Sequence, residues 1–266
     1  MEVYFKTVLG QRPTNEDKHT IILNEKGQNP SKQSINIYGV YDGHGGNHIS
    51  SLLSSIIPNI FLDQRLKYPL RKPQVNKICD NIQKILIEHY SAKSNECGST
   101  CLLVIKFDHE GSKYLNILNV GDSRAIICSG THAYALSVDH KPLNPVEKHR
   151  IMKQGGNIYY DGLEWRVDAL SVSRAFGDHS SKYTQPIPDL FLHKITKNDK
   201  FIILACDGLW DVVDNQTAVN MVLNFCYDPV GNRIQNKKNN IAKQLTDYAL
   251  SQGSSDNISV IVVFLQ

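Results

Sequence analysis

Acidic residues stand where apolar, strand-like stretches of this sequence begin or end. One Asp at such a place is unremarkable, because Asp-Gly is common turn chemistry, but here the pattern repeats along the chain. The acids that share it are Asp42, Asp122, Asp207 and Asp256, and near the first strand Glu16 and Asp17 stand side by side. Because loops at strand ends converge to build sites, we expect these carboxylates to lie close together.

Carboxylates that converge repel one another. Two unit charges 4 Å apart repel by about 1 kcal/mol in water and by about 4 kcal/mol at an effective dielectric constant of 20. A group of four or more carboxylates must therefore take up protons or bind cations. A divalent metal ion would resolve the conflict.

The ligand types indicate which ion. Sets of carboxylate oxygens suit Mg²⁺, Mn²⁺ or Ca²⁺, whereas zinc prefers His and Cys. His44 is the one histidine embedded among these acids, and the sequence has no HExxH motif, no paired cysteines and no EF-hand loop. Gly43 allows a close backbone approach through which its carbonyl could be a ligand, although a plain turn is the alternative. The residues predict a Mg²⁺ or Mn²⁺ site, with one or two ions left open.

Composition narrows the class of protein. The chain has 266 residues, 41% of them hydrophobic, and a net charge of +3. That charge is too small to predict nucleic-acid binding, although it suits an acidic substrate. The longest apolar run, 258–265, is too short to span a bilayer, and no signal peptide is visible. Six cysteines without a CxxC pair indicate reduced thiols, so we expect a soluble monomer inside the cell, in the cytoplasm or nucleus.

Apolar runs and helical periods alternate without a long linker, which predicts a single domain over 1–266. Helical spacing predicts helices, of which 46–60 should stop at Pro58, while Asn144 and Pro145 mark the start of another. The predicted helices are 46–60, 74–91, 144–156, 215–226 and 239–252. Continuous apolar runs predict strands at 3–10, 35–41, 100–107, 114–120, 125–129, 201–206 and 258–265. The polar segments 157–168 and 178–187 are predicted as surface loops.

Eight collinear segments closely resemble the metal-dependent protein serine/threonine phosphatases of the 2C type. They are GQRPTNEDKH, YGVYDGHGG, CGSTCLLVI, LNVGDSRAII, VDHKPLNPVEKHRIMKQGG, ALSVSRAFGD, FIILACDGLWDVV and SSDNISVIVVF, and they extend over nearly the whole chain. The resemblance implies an α+β fold, a four-layer α-β-β-α sandwich with two packed antiparallel β-sheets flanked by helices. It also implies phosphorylated proteins as substrates.

The resemblance implies a ligand set for two Mg²⁺ or Mn²⁺ ions. Asp42 would bridge both ions, while Glu16 and the carbonyl of Gly43 would complete the first. Asp207 and Asp256 would complete the second. A hydroxide bridging the two ions would attack the phosphorus of phosphoserine or phosphothreonine.

Further roles follow from the same resemblance. Arg12 would bind the substrate phosphate through two donors, and His44 would be the general acid that protonates the leaving oxygen. Asp17 would hold metal-bound water, and Asp122 would contribute with Asp207 to a weaker third metal site. Supporting roles are implied for Asn257, Asp211 and Asp178.

Two departures and two alternatives accompany this interpretation. The family usually carries a glycine-containing turn where this chain has Asp168-Ala169, and the loop 178–187 is short. Both lie in a flap-like region at about 157–190, where they affect the expected substrate preference. One alternative is a family relative that has lost catalysis and serves as a binding scaffold. The other is a different two-metal hydrolase, such as a nuclease, which would need a basic groove with aromatic platforms.

Overall fold

The computed structural model describes residues 2–23, 34–63, 65–234 and 240–266. The helices of that part are α1 (His48–Phe61), α2 (Lys72–Ser94), α3 (Pro145–Lys153), α4 (Asp207–Trp210), α5 (Asn215–Cys226) and α6 (Ile241–Ser251). Its strands are β1 (Val3–Val8), β2 (Lys18–Leu23), β3 (Ile35–Tyr41), β4 (Gly43–His44), β5 (Gly98–Ser99), β6 (Cys101–His109), β7 (Ser112–Val120), β8 (Arg124–Ser129), β9 (His132–Ala135), β10 (Ile158–Tyr160), β11 (Trp165–Val167), β12 (Phe176–Gly177), β13 (Asp189–Lys194), β14 (Asp199–Ala205) and β15 (Ile258–Phe264).

Two five-stranded antiparallel sheets form the centre of the fold. The first has the strand order β1-β15-β14-β8-β9, and the second has the order β13-β7-β6-β3-β2. Every residue of β15 is buried, as expected for a strand that is covered on both faces. The predicted strands at 35–41, 100–107 and 258–265 are therefore confirmed as central strands of these sheets.

Three apolar layers separate four layers of secondary structure. Between the sheets, Tyr38 of the second sheet packs in one cluster with Ile202 of the first. Ile37, which points to the opposite face of β3, packs with residues of α1 and α2 in a second cluster. A third cluster joins the first sheet to α5 and α6. The predicted α+β fold, a four-layer α-β-β-α sandwich, is confirmed.

Helix α1 continues through Pro58 to Phe61, so the prediction that it stops at the proline is wrong. A proline lacks the N–H that would bond to the carbonyl four residues earlier, here that of Ser54. Thr20 Oγ1, on β2, donates a hydrogen bond to that carbonyl at 3.4 Å instead. The neighbouring strand thus satisfies the group that the proline leaves open.

Helix α3 begins as its end signals predict. The side chain of Asn144 accepts a hydrogen bond from the Val146 amide at 3.0 Å, and Pro145 occupies the first helical position. Glu147, in the first turn, is buried and accepts a bond from Arg174 Nε at 3.0 Å. The first turn of α3 is therefore attached to the segment that precedes β12.

The predicted surface loop at 157–168 contains the antiparallel hairpin β10–β11. Asp161 Oδ1 accepts the amides of Leu163 and Glu164 at 2.8 and 2.9 Å, which closes the turn. The hairpin is largely exposed on both faces and so lacks the alternation by which strands are predicted. The other predicted loop, 178–187, contains no helix or strand.

Two further predictions concern the whole chain. All six cysteines are free and buried, as predicted for reduced thiols. Position 239, where the last helix was predicted to start, lies outside the described residues, and α6 begins at Ile241. Among the described helices, none has both the length and the apolar character that crossing a lipid bilayer requires.

Candidate active site

The ends of β3, β7 and β14 meet the start of β15 at one edge of the sandwich. A cleft of about 470 Å³ opens there. It is lined by almost all residues that the sequence assigned to a site: Arg12, Glu16, Asp42, Gly43, His44, Asp122, Asp207 and Asp256. The structure therefore brings these side chains together, while their individual roles stay predictions.

Asn257 shapes the loop that carries Glu16. Its side-chain nitrogen donates to the carbonyls of Leu9 and Thr14 at 2.8 and 3.0 Å, and its side-chain oxygen accepts the Glu16 amide at 2.8 Å. Gly43 lies against the same loop, because a Cβ atom there would be 2.6 Å from the Glu16 carbonyl oxygen. A side chain at position 43 would push the two segments apart.

Burial raises the pKa of the acids on the floor of the cleft. The pKa values of Asp42 and Asp207 lie well above the usual range, first because burial removes water and then because neighbouring carboxylates repel them. Burial also raises the pKa of Asp122 to about 6. Both carboxylate oxygens of Asp122 are buried without a hydrogen-bond partner among the described residues. Such a cluster fits a cation.

Asp17 lies behind the lining of the cleft. An oxygen of Asp17, an oxygen of Asp42 and the sulfur of Cys206 all lie within 4.8 Å of one another, a separation at which three side chains can share a metal ion. Cys206 Sγ donates to Asp17 Oδ2 at 3.3 Å, and Asp17 Oδ1 is buried without a partner among the described residues. Burial raises the pKa of Asp17 to about 6.

His44 is paired with Asp178. Its Nε2 atom lies 2.8 Å from each carboxylate oxygen of that residue. Burial alone lowers the pKa of His44, but the hydrogen bond and the charge of Asp178 outweigh burial, so the net pKa is raised. A raised pKa favours the protonated ring, which can donate a proton.

Arg12 lies at the mouth of the cleft, where its side chain is 57% exposed. Its Nη2 atom donates to Asp256 Oδ2 at 2.7 Å. A guanidinium group has five N–H donors, so this bond leaves others for an anionic ligand. Arg12 thus pairs with an acid of the cluster while most of its side chain stays exposed at the mouth of the cleft.

Lys141 is a cation of the site that the sequence interpretation missed. Its Nζ atom lies 2.8 Å from Asp211 Oδ1 and 3.6 Å from Asp122 Oδ2. Burial lowers the pKa of this lysine, but the surrounding carboxylates raise it more, so the ammonium group stays protonated. Lys141 belongs to the segment VDHKP, which was part of the family resemblance but carried no assigned role.

The hairpin β10–β11 and the residues after it form one wall of the cleft, to which Glu164, Arg166 and Ala169 contribute. Asp168 has a φ of 51°, in the left-handed region that favours glycine. Its carboxylate also accepts a hydrogen bond from Ser181 Oγ at 2.8 Å. Asp168 thus adopts a conformation that favours glycine, and its side chain forms a hydrogen bond with the short loop that follows β12.

Comparison with known proteins points to one family. The family model described as "Protein phosphatase 2C" matches residues 1–258. The chain is 37% identical over 236 residues to "Probable protein phosphatase 2C 45" of Oryza sativa subsp. japonica, covering 87% of this chain and 77% of the relative. It is 30% identical over 273 residues to "Protein phosphatase 1L" of Bos taurus, covering 97% and 70%.

A solved structure described as a C. elegans sex determining protein superposes with a TM-score of 0.85 at 25% identity, covering 100% of this chain and 65% of that one. The family match and the relatives show that this chain belongs to the protein phosphatase 2C family. It is therefore a hydrolase that acts on phosphoproteins, a serine/threonine phosphatase.

Proposed function

We propose that the cleft hydrolyses phosphoserine and phosphothreonine in proteins with the help of two Mg²⁺ or Mn²⁺ ions. The observation that carries the proposal is the convergence of buried carboxylates, some of whose oxygens have no partner among the described residues. Charged oxygens that are removed from water and left unpaired are costly. Hard divalent ions are the cations that such all-oxygen groups suit.

The residues that would hold the two ions are Asp42 in a bridging position, Glu16 and the Gly43 carbonyl on one side, and Asp207 and Asp256 on the other. Ions of this kind lower the pKa of water towards neutrality and neutralise charge on a transferring phosphoryl group. We keep Asp122 as a contributor to a weaker third site. Lys141, 3.6 Å from Asp122, already supplies positive charge there.

The other residues act on the substrate. Arg12 is exposed enough to bind two phosphate oxygens through its fork of donors. His44, at the same cleft, is placed to give a proton to the leaving serine or threonine oxygen, a contribution typically worth about 10²- to 10⁴-fold in rate. Asp17, behind the acids, would orient water.

The alternatives are less well supported. A scaffold that has lost catalysis would lack acids of the cluster, whereas all of the predicted ones line or adjoin this cleft. A nuclease would need aromatic platforms for bases. None of the described residues that line the cleft is a phenylalanine, tyrosine or tryptophan.

The test compares Asp207→Asn with Asp247→Asn, an exposed Asp on α6 that pairs with Lys243. Mn²⁺-dependent phosphate release from a phosphothreonine peptide should be abolished in the first variant and unchanged in the second. Calorimetric Mn²⁺ titration should show weakened binding in the first variant alone. Full activity of Asp207→Asn at limiting Mn²⁺, or cleavage of nucleic acid by the wild-type protein, would contradict the proposal.

A further inference from the structure

His44 and Asp178 form a hydrogen-bonded pair in which Asp178 is buried and His44 stays partly exposed in the cleft. Both carboxylate oxygens of Asp178 lie 2.8 Å from His44 Nε2, and the Asp178 side chain is only 2% exposed. A carboxylate can only accept here, so Nε2 carries a proton. The nitrogen that remains for a ligand in the cleft is Nδ1.

A small three-stranded sheet sets the distance between the two residues. In its register, His44 of β4 lies opposite Gly98 of β5, and Gly98 lies opposite Gly177 of β12, next to Asp178. A Cβ atom at Gly98 would lie 2.0 Å from Asp178 Oδ2 and 2.5 Å from His44 Nε2. The pair can therefore meet because position 98 has no side chain.

A second device holds Asp178 from outside the cleft. Gln83, on α2, donates to the Gly177 carbonyl at 2.9 Å and accepts the Gly177 amide at 3.0 Å. Asp178 itself has a φ of 51°. A left-handed conformation is unfavourable for a non-glycine residue and persists where the surroundings impose it, often at functional sites.

We propose that Asp178 is the positioning residue of His44, fixing its tautomer and orientation so that Nδ1–H faces the leaving oxygen. The proposal rests on the general-acid role of His44 proposed above. It follows the general behaviour of His–carboxylate pairs, in which the carboxylate holds the imidazole in one tautomer and stabilises the imidazolium. Gly98 and Gln83 are the structural supports of this arrangement.

The proton balance of the step is simple. The bond between phosphorus and the serine or threonine oxygen breaks, and its electron pair goes to that oxygen. The Nδ1 proton of His44 moves to the same oxygen, so a neutral hydroxyl leaves. An oxygen from water forms the new bond to phosphorus and releases its proton to solvent. His44 is then neutral, keeps Nε2–H on Asp178, and regains a proton from solvent.

The decisive experiment measures Asp178→Asn on two substrates, a phosphothreonine peptide and p-nitrophenyl phosphate. The first needs its leaving oxygen protonated, whereas nitrophenolate leaves without a proton. We expect kcat to fall by about 10²- to 10⁴-fold on the peptide and far less on p-nitrophenyl phosphate. His44→Ala should show the same asymmetry, and adding Asp178→Asn to His44→Ala should cause no further loss.

Two more variants separate positioning from general damage. Gly98→Ala inserts a methyl group between the two side chains while keeping both charges, so it should reproduce the asymmetry and decides the question if Asp178→Asn does not fold. Asp199→Asn makes the same change in the pair His193–Asp199, which lies 3.0 Å apart on β13 and β14. It should leave the ratio of the two rates unchanged.

The outcomes are distinguishable. Equal losses on both substrates, or a further loss when Asp178→Asn is added to His44→Ala, would overturn the positioning role and leave the pair as a structural tie. If His44→Ala itself showed no asymmetry, the general-acid role of His44 would fail, and the inference would fail with it. Mn²⁺-dependent activity on p-nitrophenyl phosphate would still test the metal cluster separately.

Discussion

Single residues in this cleft balance charge in two different ways. Arg12 bonds to Asp256, and Lys141 bonds to Asp211 and lies near Asp122, so part of the negative charge has a protein cation beside it. The deeper acids, in contrast, have raised pKa values. These two effects reduce the repulsion between the carboxylates in the metal-free protein. The deeper acids remain available to bind a divalent ion.

Lys141→Met tests this balance. The change leaves Asp122 buried without its cation, so we expect the metal-free protein to lose about 1–3 kcal/mol of unfolding free energy. Removing a positive charge from the cluster should at the same time tighten Mn²⁺ binding. Denaturant unfolding in a chelator and calorimetric Mn²⁺ titration measure the two effects. Lys148→Met, at an exposed position of α3, is the control. Weaker Mn²⁺ binding by Lys141→Met would contradict the argument.

Asp42, Asp122, Asp207 and Asp256 could be predicted from the sequence because each stands beside the end or the start of a recognisable strand. The pairing of Asp178 with His44 and that of Lys141 with Asp211 could not be predicted from the sequence. Asp178 is 134 positions from His44, and neither spacing nor propensity indicates that they meet. Lys141 lies in a loop whose path depends on tertiary contacts with Asp211. Such pairings are properties of the folded chain.

The helices and strands show the same contrast. Local sequence predicted some of them, whereas others depend on contacts with distant parts of the chain. Central strands such as β14 contain a continuous apolar run and were predicted, whereas the edge strands β2 and β13 are partly exposed and were missed. The continuation of α1 past Pro58 depends on Thr20, which belongs to another element. Local sequence predicted the start of α3, but what Glu147 contacts came only from the structure.

Glu147 joins α3 to the segment before β12. Its Oε1 accepts from Arg174, and its Oε2 accepts from Arg150 Nη2 at 2.9 Å and from Ser173 Oγ at 2.8 Å. Arg174 continues the network to Asp189 Oδ1 at 3.1 Å on β13. Burial would raise the pKa of Glu147, but the two arginines outweigh it and lower the pKa to about 2. The carboxylate therefore stabilises the fold in its charged form.

We predict that Glu147→Gln destabilises the protein by about 1–3 kcal/mol near neutral pH, because the buried Arg174 loses the charged partner Glu147 and keeps only Asp189 as a carboxylate partner. A lowered folded-state pKa gives stability that is present above the ordinary pKa and is lost as the pH falls through the folded one. The difference between wild type and variant should therefore shrink as the pH falls from about 4.5 to about 2. Denaturant unfolding across that range is the measurement.

The control for this prediction is Glu88→Gln, which makes the same change at an exposed position of α2. Its unfolding free energy should follow that of the wild type at every pH. A pH-independent difference between the wild type and Glu147→Gln would show that the charge of Glu147 contributes nothing to stability.

At the scale of the molecule, the site joins the two sheets. Asp42 and Asp122 follow strands of the second sheet, whereas Asp207 and Asp256 adjoin strands of the first. A ligand shared by these acids would resist any separation of the layers. Binding to the folded state alone stabilises a protein by about 2.7 kcal/mol when the ligand is present at 100 times its Kd.

We therefore predict a metal- and pH-linked stability. Burial raises the pKa values of Asp17 and Asp122 to about 6, so the metal-free folded state holds more protons than the unfolded chain between about pH 4 and about pH 6. Its stability should fall as the pH rises through that interval. Saturating Mn²⁺ should remove this fall, and the gain over chelated protein should grow with pH.

Thermal unfolding with Mn²⁺ or with a chelator, at a series of pH values, measures this linkage. Asp207→Asn should lose most of the Mn²⁺-dependent gain, whereas Asp247→Asn should keep it. A gain that is the same at every pH would mean that the ions displace no protons from the acids.

Asn257, just before β15, forms hydrogen bonds with Leu9, Thr14 and Glu16 near the start of the chain. These bonds have a consequence for protein synthesis. A nascent chain on the ribosome that has not yet released β15 can neither shape the loop around Glu16 nor contribute Asp256. On the proposed function, such a chain would lack one of the metal ligands. It should therefore show no Mn²⁺-dependent phosphatase activity until β15 has emerged.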